Sequence, residues 1–150
     1  MSGAGSPEFS LDASKLKVAV VYSSWHKEII EGLVAGAGKA LAETGCTNSS
    51  YHAVPGAFEL PLAASKLAKE NDAVIALGVV IRGDTPHFDF VCKAATDGLL
   101  QVMLESKTPV GFGLLTVDDE SQAIARSEDN HDNKGSESTY AALKMALDFK

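Results

Sequence analysis

Residues 78–91 read GVVIRGDTPHFDFV, and this stretch decides the fold. It overlaps Ala73–Ile81, an almost unbroken apolar run rich in Val and Ile, which is the pattern of a strand covered on both faces. Downstream, His87–Ser106 carries Phe88, Val91, Cys92, Ala95, Leu99, Val102 and Met103 at helical spacing, so these are expected to face inward. Gly83, Thr85 and Pro86 make the turn between them. Thr85 suits the N-cap, and Pro86 suits the first helical position because its missing N–H needs no partner there. A buried strand handing over to a helix predicts an α/β unit with a site at the join. Free backbone N–H groups and the positive end of the helix dipole meet there, where ligands and anions collect in open α/β sheets. His87 adds a group that exchanges protons near neutral pH.

Outward from this join the chain alternates strand and helix. Strands are expected at 17–22 (KVAVVY), more weakly at 50–54, at Ala73–Ile81 and at Val110–Val117. Helices are expected at 27–44, with Ile29, Ile30, Leu33, Val34, Ala37 and Leu41 on one stripe and Gly45 as the stop, and at 59–69, His87–Ser106, 120–127 and 134–149. The order βαβαβαβα implies a three-layer α/β/α domain: a flavodoxin-like parallel sheet of four to five strands, helices on both faces and right-handed crossovers. The last helix holds Tyr140, Ala141, Leu143, Met145, Ala146 and Leu147. It reads as apolar around more than one face, which predicts self-association. Residues 1–15 are Gly-, Ser- and Ala-rich and are expected to be mobile, and GSPEF at 5–9 resembles an expression-vector remnant. Residues 16–150 form the domain.

The 150 residues suit one domain, and 45% hydrophobic residues suffice for a core. A net charge of −7 argues against nucleic acid or an anionic membrane as partner. There is no apolar run of membrane-spanning length and no charged-then-apolar leader. Cys46 and Cys92 have neither CxxC nor zinc spacing and are expected to be reduced thiols in a cytoplasmic protein.

Four further places lie near strand ends or polar joins. Trp25, in SSWH after the first strand, is either a stacking platform for a flat ring or a filler at the rim of the core. Glu59, in VPGAFELP, is either a helix-start carboxylate favoured by the dipole or an acceptor for a polyhydroxyl ligand. Phe112, between glycines in the fourth strand, is by default a core residue. The connector RSEDNHDNK is by default a solvated loop, yet its Arg126 and Lys134 can supply the charge a phosphate needs. Several look-alikes fail. GAGK at 36–39 lacks Walker spacing and lies inside a helix, no GxGxxG follows a strand, and no nucleophile elbow is present. The four histidines (His26, His52, His87, His131) show no metal-ligand pairing. Asp84 sits in the proposed anion corner, where its charge opposes a phosphate unless it points to solvent.

SSWH, GAFELP, ALGVVIRGDTPHFDFVC, PVGFGLLT, the arginine in IARSE and the NKG before the last helix together resemble the lumazine synthase family, from about Leu16 to the C-terminus. The resemblance implies condensation of 5-amino-6-(D-ribitylamino)uracil with 3,4-dihydroxy-2-butanone 4-phosphate, without metal or redox cofactor. It makes Trp25 the stacking aromatic. Ala57, Phe58 and Glu59 hold the ribityl chain, and Val79, Val80 and Ile81 read the uracil edge through their backbone. Gly83, Asp84 and Thr85 form the phosphate loop, with Arg126 as counter-charge, and His87 is the proton carrier. Phe112, Arg126 and Lys134 come from a neighbouring subunit. A pentamer is implied, with a 60-subunit shell as the larger alternative and riboflavin synthase as a candidate partner. The rivals are a non-catalytic flavin-like carrier, although SSWHKE after the first strand is not the Ser/Thr/Gly-rich loop of flavodoxins, and a purely structural shell, which gives the strand-end residues no purpose.

Overall fold

The computed structural model describes residues 5–8 and 10–150. The strands are β1 (Lys17–Ser23), β2 (Asn48–Val54), β3 (Ala73–Ile81) and β4 (Val110–Val117). The helices are α1 (Lys27–Glu43), α2 (Leu60–Leu67), α3 (His87–Ser106), α4 (Glu120–Ala125) and α5 (Lys134–Asp148), with a 3-10 turn at Ala57–Glu59. The four strands are parallel, in the order β2-β1-β3-β4. Among the described residues no helix is long and apolar enough to cross a membrane.

Strand periodicity builds the two faces. Val18, Val20, Ile75 and Leu77 pack with Ile29, Leu33 and Leu41 of α1 and Leu143 of α5. The alternate residues Val21, Val74 and Ala76 pack with Leu60 and Ala64 of α2 and with Ala95, Leu99 and Val102 of α3. Successive side chains of a strand point to opposite faces, so both sides of the sheet are covered and its central strands are buried from Val18 to Val21 and from Ala73 to Val79. β2 is polar because it is an edge strand, only partly buried; its first residues, Asn48 and Ser49, are drawn into the sheet by pairing with Lys17 and Val18.

Gly45 closes α1 as expected. At φ 78° it takes the left-handed backbone, its N–H donates to the Ala42 carbonyl (3.1 Å), and the Cys46 N–H donates to the Leu41 carbonyl (2.9 Å). This is the Schellman pattern, which satisfies the last carbonyls of a helix.

Other expectations shift. Pro86, not Thr85, occupies the N-cap of α3, and Thr85 Oγ1 only grazes the His87 N–H at 3.4 Å. Val91 and Met103 face inward but are only half-buried, packed on the margin of the core, and Cys92 is half-buried. α5 has one buried face, not two. Gly135, Ser138, Thr139, Ala142 and Ala146 are small enough to let it lie close on the core beside α1. Large apolar side chains are exposed on α2 and α3, at Leu62, Phe90, Leu100 and Leu104, and on α5 at Met145. The segment expected to be mobile through residue 15 is docked from Leu11 onward. Leu11 packs on the core, Ala13 is fully buried, and the Ala13 N–H donates to the Thr44 carbonyl at 2.7 Å. Residues 1–4 and 9 of that segment lie outside the described residues.

Tyr140 on α5 donates its hydroxyl to the Glu43 carboxylate at the end of α1. Burial, then the Glu43 carboxylate, pushes the phenol up to about 12. The folded state therefore holds the proton more tightly than the unfolded chain, and the contribution to stability is complete below the phenol's ordinary value and lost as pH rises toward the folded one. The stability difference between wild type and Tyr140→Phe should be constant below pH ~10 and shrink above it. A pH series of unfolding midpoints checks this; a difference that persists unchanged into the shifted range would contradict it.

Candidate active site

The order β2-β1-β3-β4 places a topological switch point between β1 and β3. The chain leaves β1 for α1 on one face and leaves β3 for α3 on the other. The two loops part, and a crevice opens at the carboxyl ends of the strands, where doubly wound folds bind ligands. A cleft of about 630 Å³ lies there. Trp25 and His26 come from the β1–α1 loop, and residues 56–59 from the β2–α2 loop. Val79, Val80 and Ile81 come from the end of β3, and His87, Phe90 and Val91 from the first turns of α3.

The register explains the cleft's floor. β1 pairs with β3 only as far as Tyr22–Leu77, while β3 runs on against β4 through Ile81–Val117. Along Val79–Ile81 the edge of β3 that faced β1 is thus opened to the cleft, where its backbone groups can bond a ligand. The neighbouring loops are fixed to one another: the Ser24 hydroxyl donates to the Val54 carbonyl (2.7 Å) and the Ser24 N–H to the Pro55 carbonyl (3.3 Å).

Trp25 is 68% exposed, so it does not fill the rim of the core; it stands as a free aromatic face at the cleft. Phe58 and Phe90 are likewise exposed. Glu59 is the N-cap residue of α2, yet its side chain makes no cap hydrogen bond, leaving its acceptors to the cleft. His26 adopts a left-handed backbone at φ 59°, a state that costs an L-residue about 1–2 kcal/mol, and its carbonyl accepts from the Ile30 N–H to start α1.

The cleft thus gathers Trp25, Ala57, Phe58, Glu59, Val79, Val80, Ile81 and His87. Gly83, Asp84 and Thr85 are exposed in the turn just before α3, beyond the cleft wall. Arg82 ties that turn down: its Nε donates to Asp118 (2.9 Å), a terminal nitrogen lies 3.5 Å from Asp89, and the guanidinium stands 4.4 Å over the Phe88 ring. Phe112 is an exposed residue in the middle of edge strand β4. It lies three residues before Leu115, the partner of Val79, about 10 Å along the strand. Arg126 donates to the Gln122 carbonyl (2.8 Å) and accepts from the Lys134 N–H at its own carbonyl (2.9 Å). The Lys134 ammonium pairs with Glu137 at 3.0 Å. These three residues therefore stand apart from their own protomer's cleft.

Sequence reasoning missed His26, Gly56, Phe90 and Val91 as cleft residues. The last two were legible: three and four residues after His87, they share its helix face. Burial pushes both the Cys46 and Cys92 thiols up, which keeps them neutral and weakly nucleophilic.

The family model described as 6,7-dimethyl-8-ribityllumazine synthase matches residues 15–150. Proteins of that name from Kineococcus radiotolerans and Kocuria rhizophila are each 55% identical, covering 98% of this chain and 93% and 97% of their own lengths. The one from Paenarthrobacter aurescens is 50% identical, covering all of this chain and 98% of its own. With matches of this identity over almost its whole length, the chain belongs to the 6,7-dimethyl-8-ribityllumazine synthase family.

Proposed function

We propose that the switch-point cleft is the active site and that a neighbouring subunit completes it. The chain is a transferase. It condenses 5-amino-6-(D-ribitylamino)uracil with 3,4-dihydroxy-2-butanone 4-phosphate to 6,7-dimethyl-8-ribityllumazine, phosphate and water, the penultimate step of riboflavin formation.

The opened edge of β3 beside the free face of Trp25 carries this reading. A pyrimidine stacked on Trp25 presents its polar edge to the backbone of Val79–Ile81. Its ribityl chain runs along Ala57 and Phe58 to Glu59, whose acceptors have no cap to serve. The phosphate of the second substrate belongs at Gly83–Thr85. A Cβ at Gly83 would meet nothing within 4 Å, so glycine there serves neither packing nor shape and leaves the backbone open to an anion. Asp84 is exposed and turns its charge to solvent.

His87, on the cleft wall at the first turn of α3, carries protons. Imine formation between the ring amine and the ketone expels one water, loss of phosphate needs charge neutralised, and attack of the ribityl-bearing nitrogen on the remaining carbonyl closes the ring, expels a second water and gives up a proton. Holding two flexible substrates together supplies much of the remaining rate.

Phe112, Arg126 and Lys134 lie away from their own cleft, and a second subunit can bring them to it. The exposed apolar residues of α2 and α3 supply surface for that contact. The assembly proposed is a cytoplasmic homopentamer. Sedimentation distinguishes it from a monomer and from the 60-subunit shell, and co-sedimentation tests riboflavin synthase as a partner. In the assembled enzyme Arg126→Ala should raise KM for the butanone phosphate about tenfold, the scale of one charge-assisted contact. KM for the pyrimidine should stay within about twofold, since no contact to the ring is lost. Equal losses on both substrates would contradict the assignment.

A further inference from the structure

Gly56 precedes the turn at Ala57–Glu59, with φ −148° and ψ −178°. That is ordinary extended backbone, so conformation gives no reason for glycine. Space gives one. A Cβ at this position would lie 3.3 Å from Glu59 Oε1 and 3.6 Å from both Cδ1 and Nε1 of Trp25. The missing side chain is thus bracketed by an indole edge from one loop and a carboxylate from another, and all three residues line the cleft.

We propose that Gly56 is a specificity-determining residue: the room it leaves between Trp25 and Glu59 is where the flat ring of the substrate joins its polyhydroxyl chain. Resting on the functional reading above, this assigns Gly56 the task of setting the spacing between the ring's platform and the chain's acceptor. A methyl group there meets the carboxylate at 3.3 Å, tighter than ordinary packing, so the carboxylate must shift by a few tenths of an ångström from the position it holds for the chain, while the indole stays within normal contact.

Gly56→Ala tests this in the assembled enzyme, because alanine accepts the extended backbone. KM for 5-amino-6-(D-ribitylamino)uracil should rise about tenfold, the scale of one hydrogen bond to a charged group. Turnover and KM for the butanone phosphate should change less than about twofold, because neither contact is touched. In a Glu59→Ala background the same substitution should add less than about twofold, the non-additivity of residues that act through one another. Trp25 is the chain's one tryptophan, so quenching of its fluorescence by the pyrimidine alone reports binding without turnover, and the same tenfold weakening is expected.

An unchanged pyrimidine KM in an active Gly56→Ala enzyme, or full additivity with Glu59→Ala, overturns the inference. So does a variant that no longer assembles, since the backbone suits alanine. A wild type that neither binds the pyrimidine nor turns over overturns the functional reading itself, which separates the two failures.

Discussion

Replacing His87 with alanine should lower kcat about 100-fold without abolishing turnover, the low end of what general acid–base catalysis contributes. The imidazole lies on the cleft wall beside the opened edge of β3, while its residue is exposed at the start of α3. Nothing in the core depends on it, so the thermal midpoint should stay unchanged. Both KM values should move little, because the loss falls on proton transfer in the transition state. The residual rate is expected from orientation of the two substrates and from the proposed phosphate loop, which the substitution leaves in place. Steady-state kinetics on the intact assembly checks this. A kcat within twofold of wild type would refute the proton role.

The second large effect concerns stability. Asn133 is almost fully buried and caps α5, its Oδ1 accepting the Ser136 N–H at 3.0 Å. Its Nδ2 donates to the carbonyls of Gly32 (3.1 Å) and Glu128 (2.9 Å). One side chain thus ties α5, the connector and α1 together. Gly36 makes room for it: a Cβ there would fall 2.0 Å from Asn133 Oδ1. Asn133→Ala removes a cap and two further amide hydrogen bonds, at a cost of about 3 kcal/mol, although the Glu128 carbonyl keeps its bond from the Asn130 N–H (2.9 Å). Urea unfolding at fixed protomer concentration measures it. A loss below about 1 kcal/mol would show that water replaces the amide. In the Asn133→Ala background Gly36→Ala should cost less than in wild type, because the atom it strikes has gone.

These residues also show how far the sequence could be read. The bounds of β3, α3 and β4 were legible because a long Val- and Ile-rich run, a Thr-Pro turn and Pro109 mark them. The beginning of β2 was not: Asn48 and Ser49 carry no strand signal, and only pairing with β1 recruits them. α2 begins late because Ala57–Glu59 tightens into a 3-10 turn, a choice made by loop closure rather than propensity. GAGK at 36–39 could be rejected as a phosphate loop, yet its first glycine is explained only by the distant Asn133 that fills the space beside it. The second face assigned to α5 is narrower than expected for a related reason: small residues on a helix shrink the area it must cover, so only Met145 is a large exposed apolar side chain there, while Leu62 on α2 and Phe90, Leu100 and Leu104 on α3 are exposed as well.

Within the cleft, strand-end motifs marked Trp25, Glu59 and His87 from sequence. His26 and Gly56 were not marked, because a left-handed histidine and a glycine chosen for space are properties of the fold. Phe112, Arg126 and Lys134 were named only by resemblance to the family. Their position away from their own cleft accords with a site made from two subunits, which no single-chain pattern encodes.

The most direct test is to mix the purified protein with both substrates and follow phosphate release and the absorbance of the new ring in parallel. Phosphate and lumazine should appear together, in equal amounts and faster than in the uncatalysed reaction. No acceleration from a folded, assembled protein would contradict the proposed function and leave a cleft that binds without condensing.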